Sequence, residues 1–335
     1  MKIFMTSVTD AKTQREYQFP ERYRASYLAC GTTPYTLVES AEAADLIVYW
    51  KFWEESQVPF AQNVRAQENF RLYPEKCYVV TYEDEPIPFF PGVYTCLVRE
   101  KYDPFRHRTG CYGITMNPFI PEYAAQEHPE PTLLASFTGA LSHPLRQRLV
   151  DEPSLRESCQ LGLVPLFFYY NSQDPAKIDG QRAYARQMAE SKFALCPRGS
   201  GASSHRLFEA MQMGRCPVII ADDWVPPEGP AWSDCALRVA DRNIPQLHAI
   251  LRDHEPRWAE MGRAARRAWE QWFSPEMFVF RTLQAIVDLH LLKRADEREF
   301  QRGWDSLANE HRVQTNEPVP RFRKLRRLAA KFWRD

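Results

Sequence analysis

Two arginines, a glutamate and a run of small residues stand close together at positions 198–209, and their shared chemistry is anion capture. Arg198 and Arg206 bracket a turn that holds Gly199, Ser200, Gly201, Ser203 and Ser204. Glycine lets a backbone approach a phosphate closely, and guanidinium offers a planar fork of donors. Glu209, one turn past Arg206, could accept both hydroxyl protons of a ribose. A nucleoside diphosphate would use all three features. A surface turn leading into a helix with an ordinary Arg–Glu i, i+3 pair shows the same spacing, so spacing alone leaves both readings open.

The elements that must position these groups follow from hydrophobic pattern. Residues 192–196 form a short apolar run, 197–204 a Gly/Ser-rich turn, 203–213 an amphipathic stretch closed by Gly214, and 217–221 a second apolar run. That order predicts one strand–helix–strand unit. Its first loop would lie at the strand's carboxyl end, beside the unpaired N–H groups of a helix start, where anions bind. Leu207, Ala210, Met211 and Gly214 recur at helical spacing and should face the core. Arg206 and Glu209 are then expected to look out over the loop.

The stretch CPRGSGASSHRLFEAMQMGRCPVIIADDWVPP closely resembles the signature of the exostosin family of glycosyltransferases. The shared features are a CPRG box, a Ser and Arg at a helix head, Glu one turn on, a Gly-Cys-x-Pro-Val step and an acidic-aromatic turn before Pro. This chain departs from the pattern at Arg215, which separates Gly214 from Cys216. The dense match spans roughly a tenth of the chain, with a weaker likeness over the second half. The resemblance implies an α/β protein of two facing Rossmann-like domains (GT-B), the second holding a nucleotide-sugar donor and the first an acceptor.

Composition agrees with a globular protein. The 335 residues suffice for two domains; 44% are hydrophobic and 26% charged, and the net charge is zero, which excludes a nucleic-acid binder. Eight cysteines show neither C-x-x-C pairs nor zinc spacing, so reduced, buried thiols are expected. The opening MKIFMTSVTD is too poor in apolar residues for a signal peptide, and no apolar run reaches membrane-spanning length. Animal members of the family are anchored in the secretory pathway; a bacterial-type, soluble, cytoplasmic form is the expectation here.

In the first half, strands are predicted at residues 2–8, 45–50 and 76–81, with helical character at 21–30, 38–44 and 61–73. The third strand runs into Glu83, Asp84 and Glu85 before Pro86. Polar residues at a strand's carboxyl end line the crevice of an open α/β sheet, so these three are the candidates for a catalytic base, a solvated acidic turn being the plain alternative. Fucosyltransferases of a related type carry an acid shortly before a Pro at a similar stage, a loose similarity. Residues 87–123 are rich in Pro and aromatics and read as crevice loops with a short strand at 113–116. The polar stretch 124–131 marks a boundary, giving an acceptor domain at 1–125, a donor domain at 130–292 and a helical extension at 293–335.

The second half opens with a strand at 132–137 and an FTG turn, then a helix from about His143 bearing Arg146 and Arg148. The turn and the arginines also resemble the exostosin family, which makes Gly139 and Arg146 donor-binding candidates; Arg148 fits a surface helix. Further strands are predicted at 163–170 and 235–240, and Asp222 and Asp223 end the 217–221 strand on the crevice side, the last two donor-site candidates. The remainder is helical, at 245–252, 255–272 and 274–292. Residues 321–335 carry seven Lys/Arg and one acid, with Phe322, Leu325, Leu328, Ala329 and Phe332 on one stripe. That tail reads as an amphipathic anchor for anionic membrane at the inner face of the plasma membrane, or as a packed terminal helix.

The function implied is transfer of a sugar, with inversion, from a nucleotide-sugar (UDP-linked) to a glycan or lipid-linked glycan in surface polysaccharide or lipopolysaccharide assembly. No cofactor and no metal are expected, since arginines rather than an acidic pair meet the phosphates. Two other readings stand beside it: a fucosyltransferase-like enzyme using GDP-fucose, and a non-catalytic sugar-nucleotide or glycan-binding protein at the membrane.

Overall fold

The computed structural model describes residues 1–52, 57–113, 117–126, 130–165, 174–292 and 297. Two parallel sheets organise them. The first holds β1 (Lys2–Thr6), β2 (Thr36–Leu37), β3 (Leu46–Trp50), β4 (Cys77–Thr81), β5 (Gly92–Tyr94) and β6 (His107–Thr109), in the order β2-β1-β3-β4-β5-β6. The second holds β7 (Leu133–Ala140), β8 (Cys159–Val164), β9 (Ser191–Pro197), β10 (Cys216–Ile220) and β11 (Leu237–Arg238), in the order β11-β10-β9-β7-β8. Every strand pair is parallel. Strand β3 shows why: all five residues of LIVYW are buried, as helices on both faces of a parallel sheet require.

In each sheet the chain leaves its first strand to one side and its third lies on the other. The strand order therefore reverses between β1 and β3 and again between β7 and β9, and open α/β sheets bind ligands at such points. Loops at the carboxyl ends of the two sheets meet. Val98 and Trp224 form an antiparallel bridge, Val225 N donates to Leu97 O at 3.0 Å, and Arg99 N donates to Asp223 O at 2.9 Å. The molecule thus has the two facing α/β domains expected, followed by a helical region.

Several expectations change in detail. Residues 38–44 form no helix and simply join β2 to β3, while 57–72 breaks into two helices at Gln67. Strands β2, β5 and β6 were not legible, being two or three residues long with sequences such as GVY and HRT. Strand β8 starts earlier than predicted; residues 114–116, 166–170 and the tail from 321 lie outside the described residues. The helix Pro275–Leu292, assigned by sequence to the donor domain, crosses back to the first. It packs on the helix Glu21–Ala29, and Ser26 Oγ donates to Pro275 O. Phe278 meets Trp50 with ring centroids 5.9 Å apart, and Tyr78 Oη bonds His290 Nδ1 at 3.0 Å. Glu297, past that helix, forms a buried ion pair with Arg106 at 2.6 Å. None of the described helices is long and apolar enough to cross a membrane.

Candidate active site

The glycine-rich loop is held open by an arginine that sequence assigned to the ligand. Arg146 donates from Nε to Arg198 O (3.0 Å), from Nη1 to Ala140 O (2.9 Å) and from Nη2 to Pro197 O (3.3 Å). It bolts the end of β7 to the end of β9 and so braces the site. Gly199 permits this, because a Cβ there would lie 2.7 Å from Ser142 Oγ and 2.8 Å from Arg146 Nη2. Gly139 lies against the same guanidinium, 3.5 Å from Nη1 by the same construction. At Gly201 the halves touch: a Cβ would meet Cys96 Sγ at 2.7 Å and Asp84 Oδ1 at 2.9 Å.

Within this loop and the helix start after it, four buried polar atoms have no hydrogen-bond partner: Arg198 Nε, Ser203 Oγ, His205 Nε2 and Arg206 Nη1. Leaving such a group unpaired costs about 1–3 kcal/mol, so a cluster of them at a crevice marks a place where something else bonds. Ser200 and Ser204 are half-buried beside them.

The helix His205–Gln212 does not present Arg206 and Glu209 to the loop as expected. Residues 206–212 are all buried, Arg206 at 5% and Glu209 at 6% exposure. Arg206 donates from Nε to Leu195 O (3.1 Å) and from Nη2 to Ser136 O and Oγ (both 3.0 Å), and lies over the Tyr184 ring. Glu209 accepts from Tyr184 Oη at 2.6 Å, and burial raises its pKa. An eight-residue helix is marginal on its own, and here packing on every side holds it. Gly214 ends it at φ +68°, as predicted, and the extra Arg215 lays its guanidinium over Trp258.

The acidic cluster divides. Glu83 pairs with Lys51, a lysine only 2% exposed that also donates to Phe52 O at 3.1 Å. Glu85 is exposed. Asp84 faces the glycine loop, and its Oδ1 accepts from Tyr112 Oη at 3.4 Å. Tyr112 Oη also lies 3.2 Å from Cys96 Sγ, and its ring stacks on His205 with centroids 3.6 Å apart. Burial lowers the His205 pKa to about 4, so the imidazole is neutral at pH 7.

Asp222 and Asp223 are both exposed at the end of β10. Asp222 Oδ1 accepts from Asp241 N at 3.0 Å, whereas Asp223 contributes its backbone oxygen to the contact between domains. Among the described residues no group of three or more His, Cys, Asp or Glu is disposed to hold a metal ion. Lys51, Tyr112, His205, Tyr184 and Asp241 were not singled out from sequence. Lys51, directly after an apolar strand, and His205, inside the signature, carried a signal; the others acquire their neighbours only through folding.

These features define a two-domain α/β protein with an anion-ready loop at one crevice and a carboxylate facing it. Residues 116–254 match the family model for the Exostosin GT47 domain. It is 41% identical over 86 residues to a probable glucuronosyltransferase of Oryza sativa subsp. japonica, an alignment covering 25% of this chain and 21% of that protein. It is 32% identical over 115 residues to the Exostosin-1 homolog of Caenorhabditis elegans, covering 33% and 28%. The chain thus spans under a third of the length of these two relatives. A glycosyltransferase of known structure from Rickettsia africae superposes with TM-score 0.45 at 12% identity, over 86% of this chain and 98% of that one, a likeness too loose to carry an argument.

Proposed function

We propose that the protein is a glycosyltransferase that moves a sugar from a nucleoside diphosphate, UDP in the first instance, to an acceptor hydroxyl with inversion. The observation that carries this is the set of unpaired buried donors on the 198–206 segment, opposite Asp84. The sequence match to glucuronosyl- and xylosyltransferases supports a uronosyl or pentosyl unit as the group transferred. Asp84 takes the proton of the acceptor hydroxyl as its oxygen bonds the anomeric carbon. The bond to the diphosphate breaks, and its new negative charge falls on Arg198 and the loop amides without need of a divalent ion. Thermal shift against UDP- and GDP-sugars, with turnover measured in EDTA, tests the reading. Protection by GDP-fucose alone would favour the fucosyltransferase-like alternative, and protection without transfer the non-catalytic one.

The acceptor we propose is a glycan or lipid-linked glycan of a surface polysaccharide, met at the inner membrane face through the basic tail at 321–335. Seven cations there, each worth up to about 1 kcal/mol near an anionic surface, support the proposal. Vesicle sedimentation should show binding that needs anionic lipid and weakens with salt. Equal partitioning after truncation at Pro320 would remove the tail from the account.

A further inference from the structure

Glu209 Oε2 accepts from Tyr184 Oη, and a second carboxylate stands at the carboxyl edge of the same sheet. Asp241 follows β11. Its N–H donates to Asp222 Oδ1 at 3.0 Å, and its carbonyl accepts from Arg148 Nη2 at 3.2 Å. The backbone of Asp241 is thus fixed between the end of β10 and the helix Pro144–Asp151 that follows β7. Its side chain is different: Oδ1 is buried and has no hydrogen-bond partner.

Arg198 stands beside the same edge, because its N–H donates to Ile220 O at the end of β10. Its Nε is also buried and unpaired, and no ion pair joins it to Asp241 among the described residues. Burial pushes the Asp241 pKa up and Asp222 adds to that, while Arg198 and Arg148 pull it back. A cation and a carboxylate held at the same strand end, each with an unmet buried atom, suit a ligand carrying both an anion and hydroxyl donors. A nucleoside diphosphate has that pattern in its phosphates and ribose diol.

We propose that Asp241 accepts the ribose hydroxyls of the nucleotide while Arg198 takes its diphosphate, so that Asp241 makes the site selective for ribonucleotides. This rests on the donor-loop reading above. A carboxylate that loses its hydroxyl partners in a partly buried site should discriminate by about tenfold or more. Asp222, whose carboxylate is already engaged by the Asp241 N–H, is its support.

The test is calorimetric titration of the full chain with UDP and with 2′,3′-dideoxy-UDP. The wild-type protein should bind UDP at least about tenfold more tightly than the dideoxy form. Asp241→Asn should weaken UDP and bring the two ligands within about twofold, leaving the dideoxy affinity near its wild-type value. Equal affinity of the wild-type chain for both ligands overturns the proposal without reliance on any variant. So does Asp241→Asn that keeps full discrimination, or Glu209→Gln that abolishes it while Asp241→Asn does not. Failure of the wild-type chain to bind UDP or GDP at all overturns the donor-loop reading, and this proposal with it.

Discussion

The two sheets share one strand order and differ in how they finish the crevice where that order reverses. At the first, after β1 and β3, Ser7 Oγ and Thr9 Oγ1 bond each other at 2.7 Å, and Lys51 is held by Glu83 and Phe52 O. At the second, after β7 and β9, Arg146 satisfies the strand-end carbonyls, but Arg198, Ser203 and Arg206 each retain an unpaired buried atom. The first half has orphaned atoms too, among them Trp50 Nε1, Thr81 Oγ1 and Tyr82 Oη at the carboxyl ends of β3 and β4, but none on the charged loop residues Lys51 and Glu83, which pair with each other. One topology therefore serves two purposes. A crevice whose charged loop groups pair with each other is a scaffold that aims a neighbour, here Asp84; a crevice whose arginines keep unpaired atoms is poised for a ligand.

The largest effects should come from the two adjacent acids, which the comparison treats oppositely. Asp84→Asn should lower kcat by about 10²–10⁴, with UDP affinity unchanged in calorimetry. Near wild-type turnover in that variant would move the base elsewhere, His143 being next to examine. Glu83→Gln should instead cost about 3–5 kcal/mol of stability in urea unfolding, because it strands the buried Lys51 charge. A Glu83→Gln protein as stable as wild type, but with lost turnover, would make the first crevice catalytic and break the contrast.

Acid should destabilise both halves through one histidine in each. His107, whose Nδ1 accepts from Asp103 N, and His205 are both held neutral by burial, with pKa lowered to about 4. Between that value and the unfolded value near 6.5 the unfolded chain binds more protons. Stability should therefore fall as pH drops from about 6.5 to about 4 and level off below, His107 contributing up to about 3 kcal/mol. His107→Asn keeps an acceptor for Asp103 N and should flatten that part of the profile, measured as Cm against pH. An unchanged slope would mean that carboxylates dominate acid unfolding.

Sequence made the frame of both crevices legible and left their internal wiring hidden. The LIVYW run and the CPRG stretch announced β3, β9 and the loop between β9 and its helix, because burial on two faces and glycine at a tight turn leave local marks. The orientation of Arg206 and Glu209 did not follow from i, i+3, i+4 arithmetic, which supposes one buried face. Strands β7 and β9, Tyr184 and the helix Trp258–Trp272 enclose this helix together. Glu83, Asp84 and Glu85 could not be told apart either, since the partner that removes Glu83 is 32 residues away. Asp241 is set by Asp222 and Arg148, 19 and 93 residues distant, which no window of sequence spans.

The smallest predicted effect separates the two arginines that sequence treated as a pair. Arg198 has no hydrogen-bond partner for its buried Nε and stands at the loop's mouth, whereas Arg206 spends Nε and Nη2 on β7 and β9. Arg198→Ala should therefore weaken UDP by about 1.5–3 kcal/mol, roughly 10- to 150-fold, at nearly unchanged Cm. Arg206→Ala should do the reverse. It frees the carbonyls of Leu195 and Ser136 and leaves Glu209 without its nearby cation, so lost stability should exceed any direct loss of affinity once the folded fraction is accounted for. Calorimetry and urea unfolding on both variants distinguish the roles. If Arg206→Ala unfolds at the wild-type Cm yet binds UDP weakly, its free Nη1 is a ligand contact after all, and the second crevice reaches deeper under β9 than the loop alone.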